Sequence, residues 1–172
     1  EMDSAQNNSP HQILITNVSS YLGRHLAQKL LENNQIVFGV AKEAFSSPIL
    51  SHQNFTLLEL DAAQPLPEYL PNFNVIYDLD AIDANLNNAY AQFTHISPSL
   101  QNFINTANNK KVKLFIALPI RTNPEFVEYL SAKEIQGEIA LRLIGDIYGP
   151  QLEIHKKTNN PFLNLIAQAY LT

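Results

Sequence analysis

The chain has 172 residues, 45% of them hydrophobic and 16% charged, and a formal net charge of -5. That length suits one domain that buries about 70% of the surface of its unfolded chain, and the apolar content excludes a disordered chain. The absence of cysteine excludes disulfides, thiolate metal sites and cysteine nucleophiles, and the acidic balance argues against a nucleic-acid partner, because the only basic pairs are Lys110-Lys111 and Lys156-Lys157.

Residues 1–11 begin EMDSAQNNSP, a polar stretch without periodicity that reads as a disordered leader, and the domain is expected over 12–172. QILIT (12–16) is a short β-branched run and predicts a strand. In 20–34, Leu22, Leu26 and Leu30 recur every four residues and predict a helix, on which His25 is expected to face solvent. IVFGVA (36–41) predicts a second strand; a Ser-Pro stretch at 46–48 and a weak helical segment lead to a third, FTLLELD (55–61). The segment QPLPEYLPNF carries three prolines and can hold only a turn of helix before a fourth strand, VIYDLD (75–80). A helical segment from about Asn85 to Asn109 follows, interrupted at Pro98, which stands at a helix N1 position after Ser97. VKLFIAL (112–118) predicts strand five, Asn123-Pro124 opens a helix over 124–137, and 138–149 gives strand six with its trailing loop. Pro161 opens a final helix that runs to Thr172.

Strands that are apolar on both faces and alternate with helices mark a parallel sheet covered on both sides. The expected fold is α/β, a Rossmann-like doubly wound parallel sheet with helices on both faces. No apolar run of membrane-spanning length occurs, so this segment is not expected to insert in a membrane, and the expected compartment is the cytoplasm. The histidines at 11, 25, 52, 95 and 155 lack metal-ligand spacing, so no metal is expected.

ILITNVSSYLGRHLAQKLLENNQIVFGVAK resembles the opening strand, glycine-rich turn, helix and second strand of the extended short-chain dehydrogenase/reductases, the NAD-dependent epimerase/dehydratases. LELDAAQPLPEYLPNFNVIYDLDAI is similar to that family's third and fourth strands, and LRLIGDIYGP (141–150) to its Leu-Arg strand ending in Tyr-Gly-Pro. The resemblance covers about 12–172 and implies a degenerate member that lacks the C-terminal substrate lobe, one piece of a larger protein.

Carried over residue by residue, the resemblance places the cofactor loop at Thr16, Asn17, Ser20 and Gly23, where one of three glycines survives. Asn17 tolerates the left-handed backbone that the first glycine serves. Ser20 puts a side chain where the second glycine lets the backbone approach a pyrophosphate, and Gly23 keeps the helix close to its strand. The acidic ribose ligand of the family is replaced by Ala41, followed by Lys42, which offers a charge to a 2'-phosphate; Asp61 matches an Asp near the adenine. Asp78 and Asp80 stand where the family has small or neutral residues, and two carboxylates there would repel a diphosphate. For catalysis the family uses a Ser/Thr, a Tyr and a Lys one helical turn after it; the counterparts are Thr122, displaced from its place, and Tyr129 and Lys133 at i,i+4. The loop before Tyr129 and the helix after Lys133 are much shorter than in the family.

These residues imply a non-catalytic domain used for protein interaction or sensing, with a protein partner or self-association and no cofactor. The alternative is an NAD(P)-dependent nucleotide-sugar epimerase/dehydratase that uses NAD or NADP with Tyr129, Lys133 and Thr122. A third possibility keeps an adenine-nucleotide site around Asp61 as an allosteric input.

Overall fold

A computed structural model describes residues 9–61, 64–82, 97–119, 122–132 and 139–144. Six strands, β1 (Gln12–Ile15), β2 (Ile36–Ala41), β3 (Phe55–Glu59), β4 (Val75–Asp78), β5 (Lys113–Pro119) and β6 (Ile139–Ile144), form one sheet in the order β3-β2-β1-β4-β5-β6. Every pairing is parallel, with Ile15 opposite Gly39 on one side and Tyr77 on the other. The order reverses direction between β1 and β4, and in open parallel sheets the crevice at the carboxyl ends of such strands is where ligands bind.

Among the described residues three α-helices connect the strands: α1 (Tyr21–Glu32), α2 (Pro98–Lys110) and α3 (Pro124–Ala132). On α1 the buried stripe is Leu22, Leu26, Leu30 with Ala27 and Leu31, and it packs with Ile13, Ile15 and Val37 on one face of the sheet. On α2 it is Leu100, Phe103, Ile104 and Ala107, packed with Leu14, Ile76 and Leu114 on the other face, where Phe126 and Leu130 of α3 join it. Alternate residues of β1 therefore serve opposite cores, which is why β1 and β4 carry almost no polar side chains. The doubly wound parallel sheet expected from the sequence is present.

Local chemistry fixes the helix ends. Ser97 is extended and its hydroxyl accepts from the Leu100 N–H, with Pro98 at the first helical position, as the sequence predicts. The Asn123 side chain likewise accepts from the Glu125 N–H at 2.9 Å. α2 ends on Lys111 in the left-handed region, φ 53°. The segment from Gln64 to Asn74 holds no helix; Leu70 and Phe73 turn into the second core, with Phe73 edge-on to Phe38 at 5.4 Å.

Several expected bounds shift. β3 stops at Glu59 and β4 at Asp78, each two residues early, and Asp80–Ile82 form a single 3-10 turn. His25 does not face solvent freely: it is half-buried, its ring tilted against Tyr21 with centroids 4.1 Å apart and Nδ1 2.8 Å from the Tyr21 carbonyl. His11, placed in the leader by its sequence, accepts from the Ile36 N–H and donates its own N–H to the Gln35 side chain. The onset of the helix expected from Asn85, the Lys133 end of α3, the loop after β6 and the helix at 161–172 lie outside the described residues.

Candidate functional site

The carboxyl ends of β1, β2, β3 and β4 bring most of the residues singled out in the sequence to one edge of the sheet. Asn17 leaves β1 with φ 49°, the left-handed conformation its side chain tolerates, and its Nδ2 donates to the Leu79 carbonyl at 3.4 Å. The chain then turns through Val18, whose N–H reaches across to the Val40 carbonyl at 3.1 Å. This crossing requires Gly39: a Cβ there would lie 2.7 Å from the Val18 side chain.

Ser20 starts α1. Its hydroxyl donates to the Asn17 carbonyl at 2.7 Å and accepts from the Gly23 N–H at 3.0 Å, so one side chain both closes the turn and caps the helix. The free N–H groups of a helix N-terminus are what a phosphate occupies in nucleotide-binding turns, and Ser20 takes that of Gly23 for itself. Gly23 packs the helix against the turn: a Cβ would sit 2.5 Å from the Asn17 carbonyl oxygen and 2.7 Å from the Val18 Cα.

Lys42 and Asp61 follow neighbouring strands and meet, Nζ to Oδ1, at 3.8 Å. Both side chains are well exposed, so this ion pair contributes at most about 1 kcal/mol.

The switch point between β1 and β4 holds a network that runs between residues far apart in sequence. Thr16 donates its hydroxyl to Asp78 Oδ1 at 3.2 Å and accepts from the Leu79 N–H at 2.9 Å; the Asp80 N–H also donates to Asp78 Oδ1, at 3.0 Å. Asp80 Oδ2 accepts from the Ser99 hydroxyl at 3.1 Å, which ties the first turn of α2 to the same edge. Asp78 is 3% exposed and its Oδ2 has no hydrogen-bond partner among the described residues. Burial, and secondarily the charge of Asp80, push its carboxyl up to about 7, against the lowering effect of the bonds from Asp80 and Thr16. The sequence suggests that Asp78 lines the crevice beside Asp80; instead it lies beneath the surface, and only Asp80 is half-buried. The sequence placed Thr16 in the turn after β1 but not its bond to Asp78, and Ser99 escaped the sequence reading. The signal for Thr16 was its place one residue past a strand whose register sets Ile15 against Tyr77, hence Thr16 beside Asp78.

The residues expected to carry catalysis are less gathered. Thr122 is buried, Tyr129 is 48% exposed on α3, and Lys133 lies outside the described residues. Among the described residues no group of three or more His, Cys, Asp or Glu is placed to hold a metal ion, and no helix is long and apolar enough to cross a membrane.

Strand order, the turn after β1 and the close helix α1 together define a doubly wound Rossmann-type fold. Three solved structures illustrate it. The Lmo0794 protein from Listeria monocytogenes is 14% identical, covers 91% of this chain and 90% of its own, and superposes with a TM-score of 0.62. The NAD-dependent NDP-hexosamine 5,6-dehydratase TunA of tunicamycin biosynthesis is 15% identical over 81% of this chain and 56% of its own, with a TM-score of 0.59. The UDP-glucose 4-epimerase of Thermotoga maritima, solved with UDP-glucose, is 18% identical over 81% and 57%, with a TM-score of 0.57. The chain thus spans little more than half the length of the dehydratase and the epimerase. No protein-family model and no curated protein matches the chain, and at these identities the likeness is one of fold.

Proposed function

We propose that this is a non-catalytic Rossmann domain, its dinucleotide crevice closed by its own side chains, that works through contact with protein. The observation that carries this reading is the Ser20 hydroxyl bridging the Asn17 carbonyl and the Gly23 N–H. A pyrophosphate would need that N–H and the space beside it, and would have to displace a cap that already satisfies both groups. Three features around the turn support it. Ala41 offers no carboxylate to a ribose, Lys42 and Asp61 engage each other, and Asp80 adds negative charge at the edge where a diphosphate would lie. The residues present do not fit a dinucleotide.

Calorimetric titration of the domain with NAD⁺, NADH, NADP⁺ and NADPH tests the reading. The expected result is no heat of binding at millimolar ligand, a free energy weaker than about 4 kcal/mol. Micromolar binding that disappears in Asp61→Ala overturns it and revives the enzyme or the nucleotide sensor.

A further inference from the structure

Away from the crevice, a cavity of about 390 Å³ lies between α2 and the proline-rich crossover from β3 to β4, within the size range of small-ligand and peptide pockets. Its base is apolar, made by Leu66, Leu70 and Phe73. The crossover flank includes Pro65 and Pro67, which have no N–H to donate. The helical flank is a stripe of Asn102, Asn105, Thr106 and Asn109, residues three and four apart and so on one face of α2. Asn102 ties the two flanks together by donating to the Gln64 carbonyl at 3.0 Å. Asn105 spends its Oδ1 on Gln101 and keeps both amide N–H donors, and the Asn109 side chain makes no hydrogen bond with any described residue. Glu68 and Lys110 complete the lining without an ion pair to any described residue.

We propose that this groove binds an extended polypeptide segment of a partner protein, with one apolar side chain on the Leu66, Leu70 and Phe73 base and the peptide backbone paired to Asn105 and Asn109. The inference rests on reading the domain as a protein-contact module and names the form of the contact. Asn105 and Asn109 are four residues apart, about 6 Å along the helix, close to the roughly 6.6 Å at which an extended chain repeats its backbone groups on one side. An asparagine amide presents a donor and an acceptor side by side, the complement of one residue's C=O and N–H. Flanking acidic and basic residues of the segment would meet Lys110 and Glu68. A sugar also offers paired donors and acceptors, but the one ring here, Phe73, is 5% exposed and edge-on to Phe38, so it gives no face to stack on.

Random dodecapeptides displayed on phage and selected on the purified domain supply the probe; the strongest binder is then synthesised and titrated by calorimetry. Loss of the two amide hydrogen bonds in Asn109→Ala, and of the donors in Asn105→Ala, is expected to weaken binding by about tenfold each. N-methylation of the central peptide residues is expected to do the same. Both asparagines are exposed, so the variants should keep the wild-type melting temperature. Failure to select any peptide, or a synthetic peptide indifferent to both substitutions, overturns the proposal, as does glycan-array binding that these substitutions abolish. Dinucleotide titration reads the crevice separately, so either proposal can fail while the other stands.

Discussion

At Gly23 a single hydrogen stands where any other residue has a carbon. A methyl group there would meet the Asn17 carbonyl oxygen at 2.5 Å and the Val18 Cα at 2.7 Å, backbone atoms that no rotamer change can move. Gly23→Ala must therefore push α1 off the turn, and it is expected to lower stability by about 1–3 kcal/mol, read as a fall in the urea midpoint at unchanged m-value. This effect needs no bound nucleotide, because the contact is between the domain's own parts. Gly23, Asn17 and the intrusion at Ser20 were legible from the residue types, since each position in such a turn has a stated backbone requirement. What Ser20 does with its hydroxyl was not, because a serine's partners depend on backbone geometry that spacing does not encode. The pairing of Lys42 with Asp61 was hidden for a related reason: it depends on two strands being neighbours.

Among the elements, α1 and α2 were readable because their leucine and phenylalanine stripes have helical period and because Ser97-Pro98 is a strong start signal. Their ends were less so. α2 stops on Lys111 at φ 53°, a conformation that strains a residue with a side chain and that glycine adopts freely. Lys111 is exposed, so Lys111→Gly is expected to raise stability by about 1 kcal/mol, seen as a higher midpoint in thermal or denaturant unfolding. A glycine would have announced this helix end in the sequence; a lysine concealed it. The strands were overextended at Asp61 and Asp80 because a polar residue after an apolar run reads as the last strand residue, when the chain has already turned away.

Taken whole, the molecule has in Asp78 the one buried acid among the described residues, and its stability should show it. Asp78 has an ordinary value of 3.8 and is pushed up to about 7 in the fold. Between those values the folded chain holds a proton that the unfolded chain has released, so this group's contribution to stability is fully present below about pH 4 and is lost as pH rises through about 7. Asp78→Asn should flatten that part of the profile, so that the wild-type and variant urea midpoints diverge with rising pH, to the variant's advantage. Equal slopes for both between pH 4.5 and 7.5 would show that Asp78 does not titrate there. The alternation of strands and helices made the α/β class and the parallel sheet legible, but not the order of the strands. The network around Asp78 was not legible, since it joins residues that only the folded sheet makes neighbours.

That distance also sets a timetable for folding. Thr16 and Asp78 are 62 residues apart, yet β1 is held on one side by β2, which follows closely, and on the other by β4, which does not. During synthesis the first three strands leave the ribosome with one edge of β1 open and Ile13, Leu14 and Ile15 half-covered until β4 emerges. Parallel pairings over such separations make for slow folders, because a long loop must close before any contact rewards it. The nascent chain will thus need protection from premature association for as long as that loop takes to synthesise, an interval set by topology alone.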